Sequence, residues 1–177
     1  MAAVKNGMVK LPSALKDEPH MSPDWEVRRA LIDGVRLREV RHVVTRNGTT
    51  TELHRRDWGV AVGDVEQIIH VSLRPGGVSA WHMHELKTDH LFVVAGAAKV
   101  VLFDGRADSP TSGQVDELIC SAMRPTLVVI PPVVWHGIHN IGSEPLSFVN
   151  FFDVAYDYAA PDDWRMPPDT VDIPYQF

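Results

Sequence analysis

The segment that most restricts the fold is residues 76–96, GGVSAWHMHELKTDHLFVVAG, because it combines strand-like sequence with closely spaced histidines. His82 and His84 stand two residues apart, and side chains two apart in a β-strand point to the same face. Asp89 follows a short polar interruption and opens an apolar run that ends at Gly96, a residue suited to a tight turn. The segment therefore predicts two strands, the first of which turns the imidazoles of His82 and His84 into one space.

Short strand-like segments recur along the rest of the chain. They are predicted at residues 35–44, 49–53, 65–73, 80–84, 89–94, 97–103, 115–120, 126–130, 134–138 and 146–152. Their close spacing and Gly/Pro punctuation are typical of an all-β sandwich or barrel, not of βαβ units. Residues 131–140, PPVVWHGIHN, contain a third histidine, His136. Three histidines and one carboxylate are thus candidates to converge.

These two segments resemble the two sequence motifs of the cupin superfamily. The first motif is matched by Gly76, His82, His84, Asp89 and Gly96, and the second by Pro131, His136 and Asn140. Asp89 replaces the usual glutamate, and Val133 stands where the family prefers glycine, so Val133 must adopt the backbone that glycine allows. The resemblance implies a cupin double-stranded β-helix, which is a jelly-roll barrel, and a homodimer.

The cupin resemblance also implies a metal site. The expected ligands are His82, His84, Asp89 and His136, a donor set that suits a divalent ion such as Zn, Fe, Ni or Mn. Asp89 and His90 are neighbours in a strand, so only one of them can point inward. Both faces of that strand are apolar, and only the motif register favours Asp89.

A narrower resemblance covers most of the chain. The order NGTTTEL, QIIHVSL, AWHMH, PPVVWHG and PPDTVDIPY is similar to the dTDP-4-dehydrorhamnose 3,5-epimerase group, which handles nucleotide-linked keto-sugars. In that group the histidine at the position of His82 removes a proton next to the keto group, and an aspartate that matches Asp169 orients it. A histidine suits this task because its pKa lies near neutrality and the ketone acidifies the adjacent C–H.

Three other positions depart from the catalytic pattern of that group. Its lysine falls at Asp89, its arginine falls at Ser79, and its tyrosine acid falls in residues 148–152, which contain no tyrosine. Tyr156 or Tyr158 is the candidate to replace the acid, although packing is the commoner role for each of them. A metal acting as a Lewis acid would restore the missing positive charge. Because one ring nitrogen cannot both hold a metal and accept a proton, His82 is either a ligand or a base.

Three functions are compatible with this pattern, because one fold can host many activities. The first is an epimerase or isomerase of a keto-sugar, nucleotide-linked and of the dTDP-4-keto-6-deoxysugar type, that abstracts a proton next to a carbonyl, with or without metal assistance. The second is a mononuclear metal enzyme of another class, such as a dioxygenase, cyclase or lyase. The third is a non-enzymatic cupin that binds a small molecule.

Charge and composition restrict the partners and the location. The formal net charge is −6, and no block of lysine and arginine occurs, which argues against nucleic acid or an anionic membrane as the partner. A small-molecule substrate is expected instead. The N-terminus lacks the apolar core of a signal peptide and no run is long enough to cross a bilayer, so a cytoplasmic protein is predicted. Cys120 is the only cysteine, which excludes an internal disulfide, and its apolar neighbours indicate a buried thiol.

The 177 residues, 45% of them hydrophobic, predict one globular domain. Residues 1–24 are polar and interrupted by prolines, and are interpreted as an N-terminal arm. Residues 25–177 form the cupin domain, including a tail rich in proline and aromatic residues at 153–177. Because proline disrupts ladders, this tail is predicted to pack across the barrel mouth or a neighbouring subunit, near the site. Trp81, which precedes a motif histidine, is assigned to the wall or a subunit interface.

Overall fold

The computed structural model describes residues 12–15, 19, 21–23 and 29–177, so most of the expected arm at residues 1–24 lies outside the described residues. The chain divides after Ala30 into two units, and the account below concerns Leu31–Phe177. The described residues contain β-strands, one 3-10 helix and no α-helix, which confirms the predicted all-β class. No helix in the described ranges has the length and apolar character needed to span a membrane.

The strands follow one another at short intervals, as the Gly/Pro punctuation predicted. In chain order they are β1 (Arg36–Glu39), β2 (Val43–Thr45), β3 (Gly48–Thr50), β4 (Gln67–Leu73), β5 (Val78–Met83), β6 (Asp89–Ala95), β7 (Ala97–Phe103), β8 (Val115–Ser121), β9 (Thr126–Ile130), β10 (Trp135–Asn140), β11 (Leu146–Phe152) and β12 (Trp164–Arg165). The 3-10 helix spans Arg56–Trp58.

The strands form two five-stranded antiparallel sheets. The first has the order β1-β9-β6-β11-β4, and the second has the order β12-β5-β10-β7-β8. The prediction of one continuous strand at residues 35–44 is wrong, because the segment forms two strands. The chain leaves the first sheet between β1 and β2. Strand β2 then pairs with β3 in the hairpin that the Asn47-Gly48 turn signal predicted, with Thr45 opposite Gly48.

The main apolar core contains side chains from both sheets, among them Leu91 and Val93 of β6 and Val100 of β7. The alternate residue Phe92 packs instead in a second cluster with Leu127, Phe151 and other residues. Both faces of β6 are therefore buried, because successive strand residues point to opposite faces. This is why the apolar pattern around Asp89 did not indicate which side faces the site.

The C-terminal tail covers the other face of the second sheet. Trp81 is fully buried and packs in a third cluster with Val101 and Ile173. The rings of Trp81 and Phe177 lie 5.0 Å apart, and Tyr175 contacts both. The tail of the same chain therefore forms the wall behind Trp81. Each cluster member removes apolar surface from water, which stabilises the attachment.

The tail also contains a strand that was not predicted. Trp164 and Arg165 form β12, which pairs with β5 so that Trp164 lies opposite Met83 and Arg165 lies opposite His82. Trp81 and Met166 extend this pairing through two backbone hydrogen bonds of 2.8 and 3.2 Å. The expectation that a proline-rich tail lacks ladders is wrong here, because the short stretch between Pro161 and Pro167 is free of proline.

Replacement of Ile173 tests the attachment of the tail. Ile173 is 1% exposed, so we expect Ile173→Ala to lower the free energy of unfolding by about 2–5 kcal/mol and to make the tail more sensitive to protease. Urea denaturation and limited proteolysis measure the two effects. Val171→Ala is the matched control, because Val171 is 92% exposed and should change stability by less than about 0.5 kcal/mol. Equal stability of the two variants would show that the tail does not depend on this contact.

Candidate active site

Three side chains of types that can ligate a metal, those of His84, Asp89 and His136, converge on one buried space. His84 directly follows β5, Asp89 opens β6 and His136 lies in β10, so both sheets contribute. One ligand atom from each residue lies within 4.8 Å of the others, and all three residues are buried. His84 Nε2 lies 3.5 Å from Asp89 Oδ2, and His136 Nε2 lies 3.7 Å from Asp89 Oδ1.

Hydrogen bonds fix the proton positions on two of the histidines. The Nδ1 atom of His84 lies 2.8 Å from the carbonyl oxygen of Asp162, and the Nδ1 atom of His136 lies 3.2 Å from that of Val134. A carbonyl oxygen only accepts, so each Nδ1 carries a proton, and the Nε2 atom of each ring is the one that faces Asp89. Burial lowers the pKa of His136, which favours the neutral form, and Asp89 acts in the opposite direction.

The resulting donor set fits a divalent metal ion. Two Nε2 lone pairs and a carboxylate are all acceptors, and they face one another in a buried space, where they repel unless a cation or proton lies between them. Asn150 Nδ2 donates to Asp89 Oδ1 at 2.6 Å, and backbone carbonyls hold both imidazoles, which is the outer support that metal-ligating residues commonly have. His84, Asp89 and His136 are therefore the residues that would hold the ion.

His82 stands apart from this group although its backbone lies opposite that of His136. Its Nε2 atom lies 2.9 Å from the Ser79 hydroxyl, and it is not among the converging ligand atoms. Burial is the largest cause of the lowered pKa of His82, which lies at about 4, followed by the electrostatic effects of His136 and Arg165. The imidazole is therefore neutral at neutral pH, the form that a general base requires.

Within the described residues, neither of the two residues predicted to work with His82 forms a hydrogen bond with it. Asp169 is exposed, and it forms no hydrogen bond or ion pair with His82 in the described ranges of the chain. Tyr156 is half-buried, and its ring centroid lies 5.3 Å from Lys87 Nζ and 5.1 Å from the ring of Tyr158. Tyr156 therefore lies beside Lys87, a residue that borders the site.

His90 points away from the site. Its Nε2 accepts a hydrogen bond from the backbone N–H of Val62 at 3.1 Å, and its Nδ1 donates to the carbonyl oxygen of Phe151 at 3.0 Å. Both ring nitrogens of His90 therefore form hydrogen bonds with backbone groups. Asp89 is the residue of this pair that faces His84 and His136.

Lys87 is a buried cation that the sequence reasoning missed. It is 3% exposed, and its Nζ lies 3.4 Å from Asp163 Oδ1 and 5.2 Å from the centroid of the Phe152 ring. The same carboxylate oxygen lies 3.2 Å from His84 Nδ1. Lys87 belongs to the polar interruption between the two halves of the motif, and no periodicity distinguishes it from an exposed lysine.

Asp162 attaches the tail to the segment that carries His84 and Lys87. Its two carboxylate oxygens accept the backbone N–H groups of Glu85 and Leu86, each at 2.9 Å. Burial alone would raise the pKa of Asp162, but these backbone hydrogen bonds outweigh it and lower the pKa. The tail therefore positions part of the site.

Val133 has the left-handed backbone that the motif comparison predicted, with a φ of 64°. A β-branched residue is strained there, so we expect Val133→Gly to raise the free energy of unfolding by about 0.5–1 kcal/mol. Urea denaturation measures the change. Val154→Gly is the control, because Val154 is similarly exposed but has no positive φ, and glycine should destabilise it. A loss of stability in Val133→Gly would contradict the strain.

Comparison with known proteins identifies similar sequences over most of the chain. The family model of the polysaccharide biosynthesis C-terminal domain matches residues 38–164. The chain is 35% identical over 139 residues to the probable low-salt glycan biosynthesis epimerase Agl13 of Haloferax volcanii, covering 78% of this chain and 89% of that protein. It is 33% identical over 147 residues to the spore coat polysaccharide biosynthesis protein SpsL of Bacillus subtilis, covering 83% and 97%.

A solved structure shows the same architecture. The crystal structure of a dTDP sugar isomerase from Desulfovibrio desulfuricans has a TM-score of 0.77 and 30% identity, and the match covers 82% of this chain and 91% of that one. The predicted cupin jelly roll and the resemblance to sugar epimerases are confirmed.

Proposed function

The chain belongs to the polysaccharide biosynthesis C-terminal domain family, and we propose that it is a sugar epimerase or isomerase acting on a nucleotide-linked keto-sugar of the dTDP-4-keto-6-deoxy type. The relatives named above favour this function over a dioxygenase, a cyclase, a lyase or a non-enzymatic binder. The observation that carries the proposal is the position of His82, a half-buried neutral imidazole beside the separate group of His84, Asp89 and His136.

His82 is the proposed base. It removes the proton from the carbon next to the keto group, and the C–H electron pair forms the C=C bond of an enolate while the carbonyl π pair moves onto oxygen. The Ser79 hydroxyl can donate a hydrogen bond to Nε2 when this atom is unprotonated and accept one when it is protonated. It can therefore stabilise both protonation states of His82. Return of a proton to the opposite face of that carbon completes epimerisation. Tyr156 stays the candidate for this acid.

Negative charge on the enolate oxygen requires compensation. A divalent metal held by His84, Asp89 and His136 supplies Lewis-acid polarisation of the carbonyl when bound. Lys87 adds a buried positive charge beside His84, and Asp163 orients its ammonium group. In this proposal His82 can act as the base, because the proposed ligand set of His84, Asp89 and His136 does not include it.

Exchange of substrate hydrogen with solvent deuterium tests the function. The protein is incubated in deuterated buffer with a panel of dTDP-linked keto-sugars, and mass spectrometry follows deuterium at the carbon next to the carbonyl. We expect incorporation with at least one substrate. No incorporation across the panel, with oxygen uptake or ligand binding alone, would reject the epimerase proposal.

Metal content tests the ligand set separately. Protein purified without chelator or a metal column is expected to contain about one divalent ion per chain, and His84→Ala and His136→Ala are expected to lose it. His139→Ala is the matched control on β10, because His139 packs near Phe177 and outside the ligand group. If wild type binds no Zn, Fe, Ni or Mn even when these are added, the metal proposal is wrong and His82 acts without one.

A further inference from the structure

The backbone of β12 places the side chain of Arg165 on the same face of the second sheet as the proposed base. Arg165 lies directly opposite His82 in the antiparallel pair, and opposite residues of such a pair project from the same face of the sheet. The next residue, Met166, packs in the cluster on the other face with Trp81. Because successive strand residues alternate, this independently places the side chain of Arg165 on the face of β5 that carries His82.

In the part of the chain that the structure describes, no carboxylate forms an ion pair with Arg165. Arg165 is exposed and forms no ion pair within the ranges that the structure describes, whereas other arginines such as Arg106 and Arg124 do. The two acidic residues that precede Arg165 in the sequence, Asp162 and Asp163, interact with other groups. Asp162 accepts backbone N–H groups, and Asp163 lies against Lys87 and His84.

An unpaired arginine of this kind is suited to an anionic ligand. The guanidinium presents a planar set of donors that matches a phosphate with two parallel hydrogen bonds, and its weak hydration lowers the cost of leaving water. The protein carries a net charge of −6, so local positive charge is needed to hold a negatively charged substrate beside the site. The backbone of β12 is hydrogen-bonded to β5, which limits the entropy lost when a ligand binds.

We propose that Arg165 binds the diphosphate of the substrate and so selects nucleotide-linked sugars over free ones. This inference rests on the proposed function, because it assigns the nucleotide-linked part of that same substrate. Arg165 then holds the phosphates on the His82 side of the barrel mouth while the sugar ring extends towards the buried group. The tail, which completes the second sheet, is in this way part of the substrate site.

Binding of dTDP and of thymidine by isothermal titration calorimetry tests the proposal. Arg165→Gln is expected to weaken dTDP binding by about 10- to 100-fold and to leave thymidine binding unchanged, because only dTDP carries the phosphates. Arg165→Lys should be intermediate, since lysine keeps the charge but not the paired hydrogen bonds. Arg36→Gln is the control, because Arg36 is exposed on β1 in the other sheet.

Kinetics with a substrate from the exchange panel provide the second measurement. The KM of Arg165→Gln is expected to rise about 10- to 100-fold, with kcat within about threefold of wild type. Equal dTDP affinity in wild type and Arg165→Gln, or an equal loss of thymidine binding, would overturn the role of Arg165 even if deuterium exchange occurs. Absence of exchange in a wild type that binds dTDP through Arg165 would overturn the proposed reaction and leave this binding site standing.

Discussion

The His82→Asn variant is expected to lose about 10²- to 10⁴-fold in kcat and to retain its metal and its affinity for dTDP. The size of the loss is that of removing a general base from a proton-transfer step. Asparagine keeps polarity near Ser79 but cannot take a proton. Deuterium incorporation measures the activity, elemental analysis measures the metal, and calorimetry measures dTDP binding.

The metal content of His82→Asn separates the two roles considered for this histidine. A metal lost from His82→Asn as completely as from His84→Ala would make His82 a ligand, and the base would have to be sought elsewhere. Full activity of His82→Asn would reject both roles. Asp169→Asn is an informative companion, because the family resemblance assigns this exposed residue to orienting the base. A comparable loss there would show that substrate binding brings the two together.

The Asp104→Ala variant is expected to lose about 3–5 kcal/mol of unfolding free energy, the usual cost of removing one member of a buried ion pair. The Asp104 carboxylate is fully buried and accepts two hydrogen bonds from the Arg106 side chain, at 2.8 and 2.9 Å. Ser109 and Thr111 donate to the same carboxylate at 2.5 and 2.6 Å. Without it Ser109 and Thr111 lose their carboxylate acceptor, and the Arg106 guanidinium keeps only its hydrogen bonds to the Asp33 carbonyl and the Ser109 hydroxyl.

The pH dependence of stability provides a second measurement on the same variant. Burial alone would raise the pKa of Asp104, but the hydrogen bonds from Arg106, Ser109 and Thr111 outweigh it and hold the pKa well below its usual range. The stabilisation is therefore complete above the ordinary carboxyl pKa of about 4 and is lost as pH falls below it towards the folded value. The stability difference between wild type and Asp104→Ala should shrink over that range.

Asp108→Ala serves as the control for Asp104, since Asp108 is exposed in the same loop. It is expected to change the free energy of unfolding by less than about 0.5 kcal/mol at any pH. Urea denaturation between neutral pH and pH 3 measures both variants. A stability loss in Asp104→Ala that does not vary with pH would show that packing, and not the charged hydrogen bonds, accounts for its cost.

The strands and two of the motif histidines were predictable because they depend on local sequence. Turn residues mark the strand ends, and His84 and His136 lie at fixed offsets within strand-like segments. The left-handed backbone at Val133 was predictable for the same reason, since it depends on one position of a motif. In contrast, the apolar pattern of β6 did not indicate which of its faces points towards the site, because apolar clusters bury both faces.

The sequence by itself determined the all-β class and the identity of the residues that meet at the barrel mouth. Only the tertiary structure shows that the side chains of His84, Asp89 and His136 converge on one space, whereas His82 lies beside Ser79. Lys87 and Arg165 also became apparent only there, because their roles depend on a tail strand that pairs with β5 across a long sequence separation. Such pairing depends on long-range burial and hydrogen bonding, which local periodicity does not encode.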